Sequence, residues 1–367
     1  MDNSSRLSRQ SNLELLRIVA MLLVLVVHAD FLSFGQPALS DLHARPLPVY
    51  FRFFVQSCSI VCVDLFILIS GYFAIRWKAR SLLSLLFQCW FYYVGCGLVL
   101  MGAGVVPFDL KALAGGVLFT RPEMWFVRDY LGLYLLAPML NAFCENTSAR
   151  LRGWLIVGFF AYQSFYGWLA GGLEFLGGYS LISFIGLYLL GRHIRLQSAD
   201  AKVRSRWFGL GLYGGCVALS LLAVGVMGAL FAHKPGVFDG SVMKLYAYNA
   251  LWVVAAAVGL FLFFTKFDLR SAAVNRIAAS AFSVYLLHAN PFVLPWYTAL
   301  MNGLYARISP PLAFGAAVLA ACVAIFLGTV LVDQVRIWLW GRLQPVAERI
   351  AERIAAFVTV RSGNLRP

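Results

Sequence analysis

"NLELLRIVAMLLVLVVHAD", Asn12 to Asp30, is long and apolar enough to cross a bilayer, yet it carries Glu14, Arg17 and His28. About 20 apolar residues make a spanning helix. Ionisable groups within such a helix are costly in lipid and face a bundle interior or a water-filled cavity. The stretch therefore predicts a membrane helix packed among others, with its polar stripe turned inward.

The rest of the chain agrees. Of 367 residues, 61% are hydrophobic and 13% charged, where a soluble domain would be about a quarter charged. A soluble enzyme is excluded, and the expected fold class is all-α integral membrane, a bundle of about ten transmembrane helices with both termini cytoplasmic. Spans are expected near Leu13–Phe34, Val49–Ile75, Ser81–Val105, Glu123–Phe143, Leu151–Leu169, Phe175–Leu190, Trp207–Ala232, Leu245–Thr265, Ile277–Leu300 and Leu312–Trp340. Residues 1–345 form the transmembrane domain in this reading. Residues 346–367 start as a short amphipathic segment of alternating Glu and Arg, expected on the cytoplasmic face as a tail. The first span has no small-residue cleavage site and reads as a retained anchor.

Charge placement sets the orientation. The net charge of +14 could serve nucleic acid, but its distribution follows membrane topology. With the N-terminus inside, the inner segments hold Arg6, Arg9, Arg76, Lys78, Arg80, Arg150, Arg152, Arg192, Arg195, Lys202, Arg204, Arg206, Lys266, Arg270, Arg276 and the cations from Arg336 onward. The outer loops hold Arg45, Lys111, Arg121, Lys234, Lys244 and Arg307. This is the positive-inside pattern, with contact to membrane lipid as a secondary use. Nucleic acid is not an expected partner.

Arg17 and His28 are 11 residues apart, about 20° past three helical turns, so they share a face about 16 Å apart along the axis. Glu14 lies one turn below Arg17 and can pair with it. Asp30 points elsewhere. A cation low and an imidazole high suit a thread-like anionic ligand such as the phosphopantetheine arm of acyl-CoA. The imidazole can take a proton from an incoming hydroxyl near neutral pH. The bland alternatives are that Arg17 snorkels to headgroups and His28 serves a helix contact. The seven cysteines lie mostly in apolar runs. No Cys/His spacing suggests zinc, and no metal is expected.

Four stretches together carry a family resemblance: "NLELLRIVAMLLVLVVH" from Asn12, "DLFILISGYF" from Asp64, "MWFVRDYLGLYLLAPML" from Met124 and "FSVYLLHANP" from Phe282. In this order the chain resembles the membrane acyltransferase type-3 family over roughly residues 12–340. The resemblance implies an O-acyltransferase of a bacterial inner membrane. It would move an acyl group, usually acetyl, from cytoplasmic acyl-CoA to a hydroxyl of a cell-surface polysaccharide or lipid-linked glycan. His28 matches the family's catalytic histidine and Arg17 matches the arginine beneath; Glu14, placed to pair with Arg17, is taken with His28 as a catalytic candidate. Ser70 and Tyr72 would line the donor's path, and Arg76, Lys78 and Arg80 are phosphate candidates. Many relatives carry two arginines three apart where this chain has that triplet.

On the outer side, Arg52, Asp64, Trp125, Arg128 and His288 are acceptor candidates. Arg52 and Arg128 could steady an oxyanion or a glycan phosphate, and Trp125 could stack on a sugar or simply anchor at the interface. Asp64 is expected to be a buried partner of some cation. Adjacent Arg128 and Asp129 do not face the same way, and a simple pair between them is not expected. His288 could orient His28, contact acceptor, or be a satisfied structural histidine. Tyr162, Gln163, Ser164 and Tyr166 form a polar patch that lines a cavity or bonds between helices. The alternative function is a glycan or lipid transporter or flippase, which would more often show related halves with broken helices. The sequence does not define the oligomeric state.

Overall fold

A computed structural model describes residues 10–197 and 205–363, without the side chains of 354–363. Arg6, Arg9, Lys202, Arg204 and Arg366 lie outside the described residues. The described chain is helical throughout: α1 (Ser11–Val27), α2 (Leu39–Ala44), α3 (Pro46–Ser59), α4 (Cys62–Phe73), α5 (Ala79–Trp90), α6 (Cys96–Gly102), α7 (Leu110–Leu118), α8 (Trp125–Asn146) and α9 (Ala149–Tyr162). The series continues with α10 (Leu181–Gln197), α11 (Arg206–Leu230), α12 (Pro235–Leu245), α13 (Leu251–Thr265), α14 (Ala272–Ala278), α15 (Ala281–His288), α16 (Leu294–Arg307) and α17 (Pro311–Gly363).

Among the described residues, five helical stretches are long and apolar enough to cross a membrane: Ser11–Leu32, Pro46–Phe73, Ala79–Gly102, Arg206–Leu230 and Pro311–Arg353. The first three each join two segments. Wider π turns at His28–Leu32 and Phe91–Gly95 extend α1 and α5, and α3 meets α4 at Ile60 and Val61. The stretch Ile277–Leu300, expected as one span, is instead α14, α15 and α16 in succession. Pro291 lacks the amide a helix would need there. Asn290 occupies the break, donating to the Tyr92 carbonyl at 2.9 Å and accepting from the Phe292 amide at 2.9 Å. The amphipathic tail is continuous with the last span, because α17 runs on through Pro345.

Small residues let the central helices close up, as is usual in membrane bundles. α10 packs on α4 and α11 on α13. A Cβ on Gly71 would run into the Tyr188 carbonyl, and one on Gly191 into that of Leu68. α1 runs through the middle of the bundle and touches α3, α4, α13, α14, α15 and α17. Leu13, Leu16 and Leu25 are fully buried there, and the buried polar residues Ser11 and Asn12 bond to Ser271 and to the Phe264 carbonyl.

Candidate functional site

α1 changes pitch at His28. The π turn that begins there loosens the backbone ladder, and Ser33 Oγ donates to the His28 carbonyl at 2.7 Å. Such turns gather at functional positions. α15 ends at His288 on the far side of the same ring. Tyr297 of α16 donates its hydroxyl to the Leu25 carbonyl at 2.6 Å, tying the broken helix to α1 one turn below His28.

The two imidazoles are hydrogen-bonded, His28 Nδ1 to His288 Nε2 at 2.9 Å. His288 Nδ1 lies 2.6 Å from the Val284 carbonyl oxygen. A carbonyl only accepts, so His288 Nδ1 carries a proton. In the neutral pair His288 Nε2 then accepts, and His28 Nδ1 must donate. That leaves the lone pair of His28 on Nε2. The assignment rests on the rule that a ring bond on one nitrogen sets the state of the other.

His28 lines a cavity of about 550 Å³, a size typical of small-molecule sites. Met21 and Val24 of α1 continue its wall below His28, facing Ile60, Val63 and Phe66 from α3–α4 and Phe282 and Tyr285 from α15. Trp125, Tyr179 and Tyr248 make an aromatic corner, with Trp125 and Tyr179 ring centroids 4.5 Å apart. The polar groups on the wall are few: His28, Gln36, Gln56, Glu123 and tyrosine hydroxyls. Gln56 is buried beside the cavity, and its Oε1 has no hydrogen-bond partner among the described residues.

Three helices repeat one arrangement at the cavity floor. Met21, Phe66 and Phe126 face the cavity. One turn further toward the end that the charge pattern makes cytoplasmic lie Arg17, Ser70 and Tyr130. Ser70 Oγ is 3.3 Å from the Tyr130 hydroxyl, and Tyr130 stacks on Phe126. Arg17 binds both oxygens of Glu14, at 2.9 and 3.0 Å, and sits 5.6 Å from the centre of the Phe73 ring. A polar cluster thus lies directly below an apolar, aromatic floor.

Of the residues singled out in the sequence, His28 and Trp125 line the cavity, and Arg17 and Ser70 belong to the polar cluster below it. Glu14 is engaged by Arg17 and does not reach His28. Tyr72 accepts from Arg195 at 3.0 Å beneath its guanidinium. Arg76 and Lys78 are exposed on the loop after α4, whose backbone is pinned by the Tyr134 and Tyr188 hydroxyls. Arg80 pairs with Glu348 of α17 at 2.9 Å.

Apart from Trp125, the acceptor candidates lie off the cavity wall, and His288 takes the place, one of those expected, from which it could orient His28. His288 stands behind His28 and off the cavity wall. Arg52 is a buried strut that bonds Asp30 at 2.6 Å and the Gly35 carbonyl at 2.5 Å. Arg128 is half-exposed and turned back onto Asp129 at 3.4 Å, so the neighbouring pair does form. Asp64 is fully buried, and neither of its oxygens has a hydrogen-bond partner. The expected cation beside it is not there among the described residues. The patch at Tyr162–Tyr166 falls on a third π turn, where both tyrosines are exposed and Gln163 is buried.

Sequence reasoning did not single out Tyr130, Gln56, Tyr179 or Tyr248. Tyr130 had a signal, one turn beyond Phe126 in the motif that starts at Met124. Tyr179 and Tyr248 come from connecting segments and had none.

The sequence model of a family described as an acyltransferase domain matches residues 10–331, which includes every element of the cavity. No curated protein and no solved structure matches the chain.

Proposed function

Because the chain belongs to this acyltransferase family over residues 10–331, we propose that it is an integral-membrane O-acetyltransferase of a bacterial inner membrane. In this reading it takes an acyl group from cytoplasmic acyl-CoA and passes it to a hydroxyl of a cell-surface polysaccharide or lipid-linked glycan. The carrying observation is the state of His28. Its Nδ1 is occupied by His288, so the base nitrogen left for the cavity is Nε2.

His28 Nε2 takes the proton of the incoming hydroxyl as that oxygen attacks the thioester carbonyl. It returns the proton to the departing thiolate as the carbon–sulfur bond breaks, so the imidazole ends as it began. His288 holds the ring and its tautomer, the part a carboxylate plays in a serine triad. In this reading the polar cluster of Arg17, Ser70 and Tyr130 contacts the pantetheine arm, and Arg76 and Lys78 on the loop after α4 contact the phosphates. The corner of Trp125, Tyr179 and Tyr248 stacks on the acceptor sugar. Trp125 is the acceptor contact this reading retains. Arg52, Arg128 and Asp64 are not used.

The test is transfer of labelled acetyl from acetyl-CoA to envelope glycan by the protein in proteoliposomes, wild type against His28→Ala. Transfer is expected only with the wild type, and equal transfer by both would remove His28 from the chemistry. One feature favours the transporter reading, namely the broken helix α15–α16 deep in the bundle, a device of secondary transporters. Glycan export that changes on deletion of the protein, with glycan mass unchanged, would select it.

A further inference from the structure

A groove lies between α9 and α10, away from the cavity, at their ends nearest the basic segments Arg150–Arg152 and Arg192–Arg195. Arg150, Gly153, Trp154, Val157, Leu190 and His193 line it. Its two halves differ in chemistry. Arg150 and His193 make the end nearest the cytoplasmic loops, and Trp154, Val157 and Leu190 make the membrane side. Among the described residues no acidic one lines it. The nearest one on α8, Glu145, is already bound to Arg192 at 2.8 Å.

The polar end is built. Arg152 is buried and anchored by its Nη1 on the Cys144 carbonyl at 2.6 Å and the Thr147 carbonyl at 3.0 Å. Its Nε donates to His193 Nδ1 at 3.1 Å. His193 therefore carries its proton on Nε2. Burial, and then the charge of Arg152, hold this histidine below its ordinary range and keep it in that neutral form. The Cε1–Nε2 edge of the ring lies over Gly153, where a Cβ would come within 3.6 Å of Cε1. The missing side chain leaves the Nε2–H open to the groove. Trp154, 66% exposed, stands beside it as an interfacial aromatic would.

We propose that this groove is a binding site for an anionic phospholipid, with Arg150 and His193 Nε2–H on the headgroup phosphate and Trp154, Val157 and Leu190 along the acyl chains. A free phosphate or nucleotide would use only the polar half. The apolar half selects a ligand with chains attached. Basic pockets between helices on the cytoplasmic side take anionic headgroups in this way. The site is independent of the catalytic reading, because it shares no residue with the cavity.

The test uses the full chain in mild detergent, exchanged into mixed micelles of equal phosphatidylglycerol and phosphatidylcholine, with retained lipid counted by native mass spectrometry. The wild type is expected to retain phosphatidylglycerol over phosphatidylcholine by about five- to tenfold. Arg150→Gln with His193→Leu should bring the ratio to near parity, while Arg349→Gln, which removes an exposed cation elsewhere, should leave it unchanged. Parity in the wild type would overturn the proposal, as would an equal fall with Arg349→Gln. Should the double variant not fold, brominated phosphatidylglycerol quenching Trp154 decides on near-native protein. A loss of quenchable fluorescence in Trp154→Phe supports the site, and no difference between the two proteins overturns it.

Discussion

Replacing His288 tests the proposed mechanism at its least protected point. His288→Leu keeps approximate bulk but removes the acceptor that His28 Nδ1–H now meets at 2.9 Å. His288 is only 2% exposed, so water does not readily replace it. A buried donor left without a partner costs about 1–3 kcal/mol. His28 escapes that cost by moving its proton to Nε2 or turning its ring, and either change removes the base from the cavity. At about 1.4 kcal/mol per factor of ten, kcat should fall about 5- to 150-fold. General-base catalysis as a whole contributes about 10²–10⁴, so the loss should be smaller than in His28→Ala. His288→Gln presents a carbonyl that can accept from Nδ1 and should recover much of the rate. The assay is acetyl transfer in proteoliposomes under saturating acetyl-CoA, with donor KM measured alongside. A purely structural His288 would lower the amount of folded protein and leave kcat per folded molecule alone. If His288→Leu keeps kcat within twofold, or if Gln does no better than Leu, the relay is wrong.

Arg17→Ala should raise the KM for acyl-CoA about ten- to a hundredfold, from the loss of about 1.5–3 kcal/mol of charged hydrogen bonding, with kcat less affected; an unchanged donor KM in steady-state assays assigns Arg17 to structure. Trp125→Ala should raise acceptor KM about tenfold while Trp125→Phe keeps most of the affinity, and a donor effect in its place would relocate the sugar. Asp333 accepts from Tyr92, Ser283 and Arg336 in a buried network. Asp333→Asn should therefore destabilise by about 3–5 kcal/mol, seen as a large drop in detergent melting temperature. Asp64→Asn breaks no hydrogen bond or ion pair, and its melting temperature should match or exceed that of the wild type.

The first helix was legible because its register is local. The spacing of Arg17 and His28, their common face and the pairing of Glu14 with Arg17 come from 3.6 residues per turn alone. The π turn after His28 was not legible. It inserts extra backbone per turn and rotates the residues beyond it, which is how Asp30 comes to meet Arg52. Pairing of Arg128 with Asp129 was argued away on helix angle, but a long guanidinium stem can fold back over its neighbour. The meeting of His28 with His288 depends on the break at Asn290 and on the π turn that leaves the Tyr92 carbonyl for it. Both are tertiary events, so a single sequence could offer His288 only as one of several possibilities. The break at Asn290 also takes Ile277–Leu300 out of the stretches that meet a length-and-apolarity test for spans, whereas the two π turns lie inside stretches that meet it.

The choice of a second histidine at 288 makes physical sense in a bundle of this kind. Ions within the membrane region are mostly neutralised at short range: Glu14 by Arg17, Asp30 by Arg52 and Asp333 by Arg336. A carboxylate at 288 would be another buried charge with no cation near it, and isolated charges are what a low-dielectric interior tolerates least. A neutral imidazole accepts the same hydrogen bond without that cost. The histidine pair is then uncharged at rest, and in the proposed reaction charge appears on it only as the proton moves to Nε2. At that moment the attacking oxygen and thioester develop the opposite charge beside it, so the pair forms together. In a wall as apolar as this one, that coupling favours reaction only when donor and acceptor are both present. Proton transfer from a lone water would create the same charges with no thioester to take up the negative one. Under the proposed function, the mostly apolar cavity and the neutral histidine pair then act together: charge separates only while a bound thioester is there to take it up.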